Sequence, residues 1–368
     1  MKLEAIELIR VLMPLVEPFR TSFGVQNDRD VLLVRVVSEQ GEGWGEFVAP
    51  AEPRYSSEFV DAAESVIRRF IAPALLARPE LSAARVTPLV DWIRGHPMAK
   101  GAVEMAVLDA ELRAAEVPLA DYLGGIRDEV PVGVSVGIAD SIGALLDRVG
   151  EYLSEGYNRV KLKIEPGWDV EPVRAVRERF GDELLLQVDA NTAYQRADLR
   201  HLVRLDSFGL LLIEQPFPKE DLASHAALAK LCATPVCLDE SIESAADAFR
   251  AIVAGACQVV NVKAGRVGGY LEARRVHDVC AAAGVPVWCG GMLETGIGRA
   301  ANVALASLPN FTLPGDISAS DRYYACDVTE PFVLTGSSLK VPGGPGVGVQ
   351  VNDSVLADLG ATRSTLRA

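Results

Sequence analysis

The first 50 residues alternate between apolar and polar side chains, a pattern typical of β-strands with one buried face. The clearest stretches are EAIELIRVLMPL and VLLVRVVSEQGEGWGEFV, and Gly41 and Gly43 mark a turn in the second. Helical patterns follow in SSEFVDAAESVIRRFIAPALL and MAKGAVEMAVLDAELRAAE, the second with apolar residues at i, i+3 and i+4. Strands followed by helices predict an α+β domain over residues 1–125.

The pattern changes after residue 125, because short apolar runs now alternate with amphipathic helices. Seven helical patterns separate eight apolar runs: VGVSVG (132–137), RVKLKI (159–164), LLLQVDAN (184–191), LLLIEQP (210–216), PVCLDES (235–241), CQVVNVK (257–263), VPVWCGG (285–291) and FTLPGD (311–316). Repeated βα units predict a closed α/β barrel of the TIM type over residues 126–320, in preference to a doubly wound open sheet. Residues 321–368 show short strands with Gly/Pro turns, and we expect them to return to the first domain.

The composition narrows the class of protein. The chain has 368 residues, enough for two domains, and its net charge of −14 disfavours nucleic acid and anionic membranes as partners. An anionic small substrate would need local cations. The N-terminus alternates like a strand rather than a signal peptide, no apolar run is long enough to span a bilayer, and the six cysteines form no CxxC pair. We therefore expect a cytoplasmic protein with reduced thiols.

Charged residues stand at the ends of five consecutive apolar runs, where the strands of a barrel present their active face. Buried strand ends do not tolerate charge without a partner, so a purely structural role for the whole set is disfavoured. The set is Lys161, Lys163, Asp189, Glu214, Asp239 and Lys263. Its three carboxylates would repel each other unless a cation lay among them, and the lack of nearby His or Cys favours Mg²⁺ first and Mn²⁺ second.

The lysines of this set indicate acid–base chemistry. Lys161 and Lys163 are two residues apart on a strand, so both point to one face, and each is expected to lower the pKa of the other. Lys263 comes from across the barrel, so two lysines could reach opposite faces of one bound carbon. Proton removal on one face and return on the other is racemisation, whereas loss of a leaving group is elimination. Mg²⁺ would stabilise the enediolate formed when the carbon next to a carboxylate is deprotonated.

The segments KLK, VDAN, IEQP, LDES and NVKAGRVGG together resemble the enolase superfamily, in its muconate-lactonising-enzyme subgroup. The longer segments GGMLETGIGRAANVALASLPNFTLPGD and EPGWDVEPVRAVRERFG resemble the N-succinylamino acid racemase/o-succinylbenzoate synthase family. The resemblance implies a modified (β/α)7β barrel capped by the first domain. The roles that it implies are Mg²⁺ binding by Asp189, Glu214 and Asp239 and acid/base chemistry by Lys163 and Lys263, assisted by Lys161.

The same resemblance implies substrate contacts from several loops and strand ends. These residues are Ser135, Asn191 and the backbone of Gly291, Met292 and Leu293, with Phe19, Phe23 and Tyr55 in first-domain loops that set specificity. Two other residues could modulate the site: Arg266 could lower the pKa of Lys263 or pair with an acid, and Glu240 could contact substrate or serve only the strand end. Ala264 stands where similar sequences often have proline, which could loosen the Lys263 loop without removing a functional group.

The activity implied is racemisation of N-succinylamino acids, or the dehydration by which o-succinylbenzoate synthase serves menaquinone biosynthesis. Muconate cycloisomerisation and dipeptide epimerisation use the same lysines and metal and stay open as alternatives. A Schiff-base lysine aldolase and a non-enzymatic binding barrel are alternatives of other classes. No histidine stands at a strand end, which argues against the mandelate-racemase subgroup. The resemblance also implies a homo-oligomer that acts on a small-molecule carboxylate.

Overall fold

The structure is a computed structural model that describes residues 1–22 and 24–367. Phe23, which we predicted to belong to a specificity loop, lies outside the described residues. The strands are β1 Leu3–Thr21, β2 Gly24–Ser38, β3 Gly41–Phe47, β4 Glu129–Pro131, β5 Val134–Val136, β6 Arg159–Lys163, β7 Leu185–Asp189, β8 Ile213–Glu214, β9 Val236–Leu238, β10 Val259–Val262, β11 Val287–Cys289, β12 Ser338–Lys340 and β13 Thr362–Arg367.

The α-helices lie mostly between the strands of the second half of the chain. They are α1 Val60–Val66, α2 Ala72–Leu76, α3 Ala83–Val90, α4 Pro97–Ala114, α5 Leu119–Leu123, α6 Ile142–Glu155, α7 Val170–Phe180, α8 Leu199–Leu202, α9 Leu222–Leu231, α10 Ala245–Val253, α11 Ala264–Val267, α12 Tyr270–Ala282, α13 Gly296–Ala306 and α14 Asp353–Asp358. A π-helical turn, Ile67–Ile71, joins α1 to α2. None of the helices in the described ranges has the length and hydropathy needed to cross a membrane.

The capping domain is built on an antiparallel sheet in the order β13-β1-β2-β3. Alternating side chains bury one face of these strands, as the sequence pattern predicts, and α4 packs across β3. The contact is close because β3 carries glycine at the crossing: a Cβ on Gly43 or Gly45 would collide with the backbone of α4. The last strand lies beside the first, with Arg367 opposite Ala5, so the end of the chain completes the sheet that its beginning starts.

The second sheet is parallel, with β5 to β11 in chain order, and it curls around the active face. Helices on its outer side connect successive strands, so the predicted fold class is confirmed. The eighth apolar run, 311–316, forms no regular strand. Its backbone nevertheless bonds on both sides, since Thr312 N donates to Val287 O over 3.2 Å and Gly133 N donates to Gly315 O over 2.8 Å. This segment therefore lies between β11 and the chain that leads into β5.

Two buried glutamates of the capping domain cap barrel helices. Glu46, on β3, accepts hydrogen bonds from the amides of Thr295 (2.9 Å) and Gly298 (3.0 Å) at the start of α13. Glu104, on α4, accepts two amide hydrogen bonds of 3.0 Å at the start of α12. Helix N-termini present unpaired N–H groups, which carboxylates satisfy. The domain boundaries that we placed at residues 125 and 320 stay predictions.

Candidate active site

The charged residues singled out in the sequence all lie at the carboxyl ends of β6 to β10 and are buried. Asp189, Glu214 and Asp239 are at most 1% exposed, and Lys163, the most exposed of the lysines, is 8% exposed. The alternation of a strand places Lys161 and Lys163 on one face, while Lys263 follows β10, four strands away. Parallel strands present their ends at one edge, so a set of charges that is dispersed in sequence becomes one cluster.

Lys161 lies at the centre of this cluster. Its Nζ is 3.1 Å from Asp189 Oδ2, 3.1 Å from Glu214 Oε2 and 2.5 Å from Asp316 Oδ2. Burial lowers its pKa, but these three carboxylates outweigh that effect, so the pKa of Lys161 is raised. We expected the paired lysines to lower each other's pKa, but the net shift of the pKa of Lys161 is upward because three carboxylates contact its ammonium group.

Lys163 is in a different electrostatic position. Its Nζ donates to Asp189 Oδ2 and to Asn191 Oδ1, both over 2.6 Å. Burial lowers the pKa of Lys163, and the positive charge of Lys161 adds to the effect. Two lysines on one strand thus differ in proton affinity: Lys161 holds its proton, while Lys163 is closer to releasing one.

Lys263 is held by the carboxylate of Asp239, with Nζ 2.7 Å from Oδ2, and by the ring of Tyr55, 4.8 Å from its centroid. Burial lowers the pKa of Lys263, but Tyr55 and the carboxylates of the cluster raise it above its ordinary value. Arg266 contacts the other oxygen of Asp239 and donates to the carbonyl of Ile242 over 2.8 Å. Of the two roles predicted for Arg266, the structure shows the pairing with an acid.

Glu240 and Asn191 form a second polar layer beside the cluster. Asn191 Nδ2 donates to Glu240 Oε1 over 3.0 Å, so one amide connects Lys163 to Glu240. The other oxygen, Oε2, is buried and has no hydrogen-bond partner in the described part of the chain. Burial raises the pKa of Glu240, and Asp189 adds to the effect. Glu240 is therefore an unsatisfied acceptor at the edge of the site.

The donor set suits a hard divalent cation. Asp189, Glu214 and Asp239 offer only carboxylate oxygens from the ends of three adjacent strands, and oxygen ligation is what Mg²⁺ prefers. Burial and the neighbouring Asp189 raise the pKa of Glu214, which indicates that the negative charges lie close together. Among the residues that the structure describes, no three metal-binding side chains are arranged to hold an ion as they stand. The reason is visible in the contacts, since lysine ammonium groups lie among these oxygens.

A cavity of about 60 Å³ brings many of the predicted substrate contacts together. Phe19, Tyr55, Asn191 and the segment 291–293 line it, together with Lys163 and Lys263. Ser135 does not line this cavity; it is buried on β5, in register with Lys161, and its hydroxyl lacks a partner in the described residues.

The segment 291–293 is held in an unusual backbone shape. Leu293 has φ of 57°, a conformation that costs energy for a residue other than glycine. Glu294 Oε2 accepts from Met292 N over 2.8 Å, and the hydroxyl of Tyr324 donates to Leu293 O over 2.5 Å. These bonds keep the segment at the wall of the cavity.

Sequence reasoning missed two charged members of the cluster. Asp316 pairs with Lys161 and also with Arg159, whose Nη1 lies 2.6 Å from its Oδ1. The signal for Asp316 was present, because it ends the eighth apolar run as the other acids end theirs. Arg159 begins β6 and is fully buried. It carried no signal, since a charge at the start of a strand usually faces solvent.

Comparisons with known proteins cover the whole molecule. The profile "Mandelate racemase / muconate lactonizing enzyme, N-terminal domain" matches residues 5–124, and "Enolase C-terminal domain-like" matches residues 144–355. The chain is 68% identical to an N-succinylamino acid racemase from Amycolatopsis sp., over 95% of each chain. It is 46% identical to an o-succinylbenzoate synthase from Geobacillus kaustophilus, over 95% of this chain and 94% of that one.

A solved structure gives the same result for the fold. The crystal structure of an enolase-superfamily member from Listeria innocua matches with a TM-score of 0.95 and 40% identity, over 100% of this chain and 99% of that one. Enzymes of this superfamily use a divalent metal, typically Mg²⁺. The chain therefore belongs to the enolase superfamily, in the family of the N-succinylamino acid racemases and o-succinylbenzoate synthases.

Proposed function

We propose that this protein racemises N-succinylamino acids, with Lys163 and Lys263 exchanging the α-proton. The observation that carries the proposal is that the two lysines line one cavity although their strands are four positions apart in the sheet. The relative from Amycolatopsis, 68% identical, bears the name of this activity.

The charge states of the two lysines suit a two-base exchange. Because the pKa of Lys163 is lowered by burial, more of it is neutral near pH 7 than of an exposed lysine, and a neutral amine can accept the α-proton. Lys263 has a raised pKa and keeps its proton, so it can donate to the opposite face of the carbon. Once it has donated, Lys263 is neutral and acts as the base in the reverse direction.

We propose that Asp189, Glu214 and Asp239 hold the metal ion, Mg²⁺ in preference to Mn²⁺. When bound, the ion supplies positive charge beside the substrate carboxylate, which makes the α-proton more acidic. In this proposal Lys161 binds the same carboxylate and keeps it oriented, a role supported by its position 3.1 Å from Asp189 and Glu214. Asn191 and Glu240 fix the position of Lys163 through their shared hydrogen bonds.

The test is proton exchange. An enantiopure N-succinylamino acid in D₂O, followed by NMR and chiral chromatography with enzyme and Mg²⁺, should exchange its α-proton and racemise at related rates. Addition of EDTA should stop both processes and Mg²⁺ should restore them. Unchanged substrate in the presence of folded, Mg²⁺-loaded enzyme would show that the proposed substrate is wrong.

A second candidate activity is o-succinylbenzoate synthesis. It is favoured by the relatives of that name at 46% identity, and it needs the same first step, proton removal from the carbon next to a carboxylate. An assay for o-succinylbenzoate formation beside the exchange measurement separates a racemase, a synthase and an enzyme that is both. If the enzyme neither exchanges the α-proton nor forms o-succinylbenzoate, the substrate search moves to dipeptides and muconates.

The Schiff-base aldolase receives less support. An imine-forming lysine must be neutral, yet the pKa values of Lys161 and Lys263 are raised, so only Lys163 could serve. Borohydride trapping with a carbonyl substrate would reveal it. The homo-oligomeric state and the cytoplasmic location stay predictions.

A further inference from the structure

A second, larger cavity of about 430 Å³ adjoins the active-site cavity and shares Phe19 with it as a common wall. Three arginines line this cavity: Arg20, Arg148 and Arg322. We propose that Arg322 binds the distal carboxylate of the substrate's N-acyl chain, and so selects succinylated over uncharged acyl groups. This inference rests on the proposed function and identifies the residue that determines specificity for the acyl group.

Arg322 differs from the other two arginines in its ion pairing. Arg20 pairs with Asp140 over 3.1 Å, and Arg148 pairs with Glu17 over 2.7 Å. Within residues 1–22 and 24–367, no carboxylate lies within ion-pair distance of Arg322. The other two arginines therefore each contact a carboxylate directly, whereas Arg322 is influenced by Glu155 only at longer range and keeps donors for an anion from outside.

The guanidinium of Arg322 is fixed in place without being neutralised. Its Cζ lies 4.9 Å from the ring centroids of both Tyr152 and Tyr323 and 5.9 Å from that of Phe19. One nitrogen, Nη2, donates to the carbonyl of Ser135 over 3.2 Å, and Nε is buried without a partner in the described residues. Aromatic faces orient a guanidinium but accept few of its hydrogen bonds, so the planar fork is preorganised and has donors to offer.

Arg322 is connected to the strand next to that of Lys161 through its hydrogen bond to Ser135. Ser135, whose carbonyl Arg322 holds, is in register with Lys161 on the next strand, and neighbouring strands lie about 4.8 Å apart. A succinyl group extends its second carboxylate about 6 Å from the α-carbon, since each bent covalent bond adds a little over 1 Å. In the proposed placement, the α-carboxylate lies beside Lys161 and the acyl chain runs toward β5, where Arg322 bonds the carbonyl of Ser135.

One cation of this kind would explain why two activities share a family. An N-succinylamino acid and o-succinylbenzoate, the product of the synthase, differ in the rest of the molecule, but each carries a succinyl carboxylate. A residue that binds this group works equally for both. An N-acetylamino acid has no such carboxylate and gains nothing from Arg322.

The experiment compares Arg322→Gln with the wild-type enzyme on the N-succinyl and N-acetyl derivatives of one amino acid. Loss of a charge-assisted, bidentate contact should lower kcat/KM for the succinyl substrate about 10- to 100-fold. The acetyl substrate should change less than about 3-fold, since it never used the contact. Arg148→Gln is the matched control, because it removes a paired arginine from the same cavity and should leave the succinyl-to-acetyl ratio unchanged.

A neutral isostere completes the test. A substrate whose N-acyl chain ends in a carboxamide should bind the wild-type enzyme as poorly as the succinyl substrate binds the Arg322→Gln variant. The variant should not discriminate between the carboxamide and the succinyl substrate. An unaltered ratio, or an equal loss for succinyl and acetyl substrates, would overturn the assignment of Arg322 alone. Wild-type enzyme that exchanges no α-proton in any acylated amino acid would overturn the proposed function and this inference with it.

Discussion

At the scale of single residues, Lys163 and Lys263 are two amines of one type that the protein makes chemically unequal. Lys163 is buried beside another cation, and its pKa is lowered. Lys263 is buried among carboxylates, and its pKa is raised. Each is thus suited to one half of a proton exchange.

Replacement of Lys263 separates proton removal by Lys163 from proton donation by Lys263. Lys263→Ala should reduce racemisation by at least about 10³-fold, because one face of the carbon loses its proton donor, while exchange on the Lys163 face persists in part. NMR in D₂O, run separately on each enantiomer, measures this. Lys163→Ala is the matched control and should retain exchange of the other enantiomer only. Equal loss of exchange for both enantiomers in Lys263→Ala would contradict the two-base assignment.

Asp316 is a residue whose removal should affect folding as well as catalysis. Its carboxylate pairs with Arg159 and Lys161, and the two cations hold its pKa at about 2 in spite of burial. Asp316→Asn leaves two buried cations short of a partner and should lower the free energy of unfolding by roughly 3–5 kcal/mol, as measured in urea. Asp140→Asn, which breaks an exposed pair with Arg20, should not change it measurably.

Residue-scale prediction from sequence worked where regular spacing provided a signal. Acids and lysines that end successive apolar runs were identified because a barrel brings strand ends together. The raised pKa of Lys161 was not foreseen, because it depends on Asp316, which is 155 positions away along the chain (316 − 161). Sequence spacing gives no measure of such a distance in space.

At the scale of elements, the contact of β3 with α4 depends on the absence of side chains. Gly45→Ala would place a Cβ against the carbonyl of Ala102, and the strand or the helix would have to move. We expect a loss of roughly 1–3 kcal/mol in the free energy of unfolding. Gly143→Ala is the control: its new Cβ in the first turn of α6 would meet only Ser141 Oγ, at an ordinary contact distance of 3.9 Å, so it should stabilise by up to about 1 kcal/mol. If the Gly45→Ala variant unfolds at the same midpoint urea concentration as the wild type, the contact between β3 and α4 is loose.

Periodicity predicted most elements because alternation and apolar runs directly reflect burial. The prediction that the eighth apolar run, 311–316, forms a regular strand was wrong. Pro314 has no N–H to contribute to a ladder, so the segment makes only isolated bridges to its two neighbours. The run was recognised from its apolar residues, of which Phe311 is buried, but its hydrogen bonding could not be inferred from hydropathy.

At the scale of the whole molecule, buried glutamates make stability depend on pH. Burial raises the pKa of Glu46 and of Glu104 from 4.5 to about 7. Between these pH values the folded state holds protons that the unfolded state has released, so the free energy of unfolding falls as pH rises. The melting temperature should therefore decline from about pH 5 to about pH 7.5 and level off above.

The double variant Glu46→Gln, Glu104→Gln tests the source of this slope. It should show a shallower decline of melting temperature with pH, with a remainder due to Glu58, whose pKa burial also raises to about 7. Scanning calorimetry across the pH range is the measurement. A slope as steep as that of the wild type would assign the pH dependence to other groups.

The sequence predicted two domains but could not predict how they are joined. The bonds between Glu46 and the start of α13 connect residues 249 to 252 positions apart. The partners are backbone N–H groups, which every residue except proline carries, so no side-chain pattern identifies them. Orientation of the cap on the barrel is thus a property of the folded molecule alone.

The pairing of β13 with β1 has a consequence for the protein's synthesis. β1 leaves the ribosome long before its neighbour β13, and at about 5–20 residues per second the wait is about 20 to 70 seconds. During that time one edge of β1 is open to pairing with other nascent chains. A chain released early would carry a barrel and an unfinished cap, so premature termination or a bulky carboxyl-terminal fusion should show itself first as aggregation rather than as loss of catalytic groups.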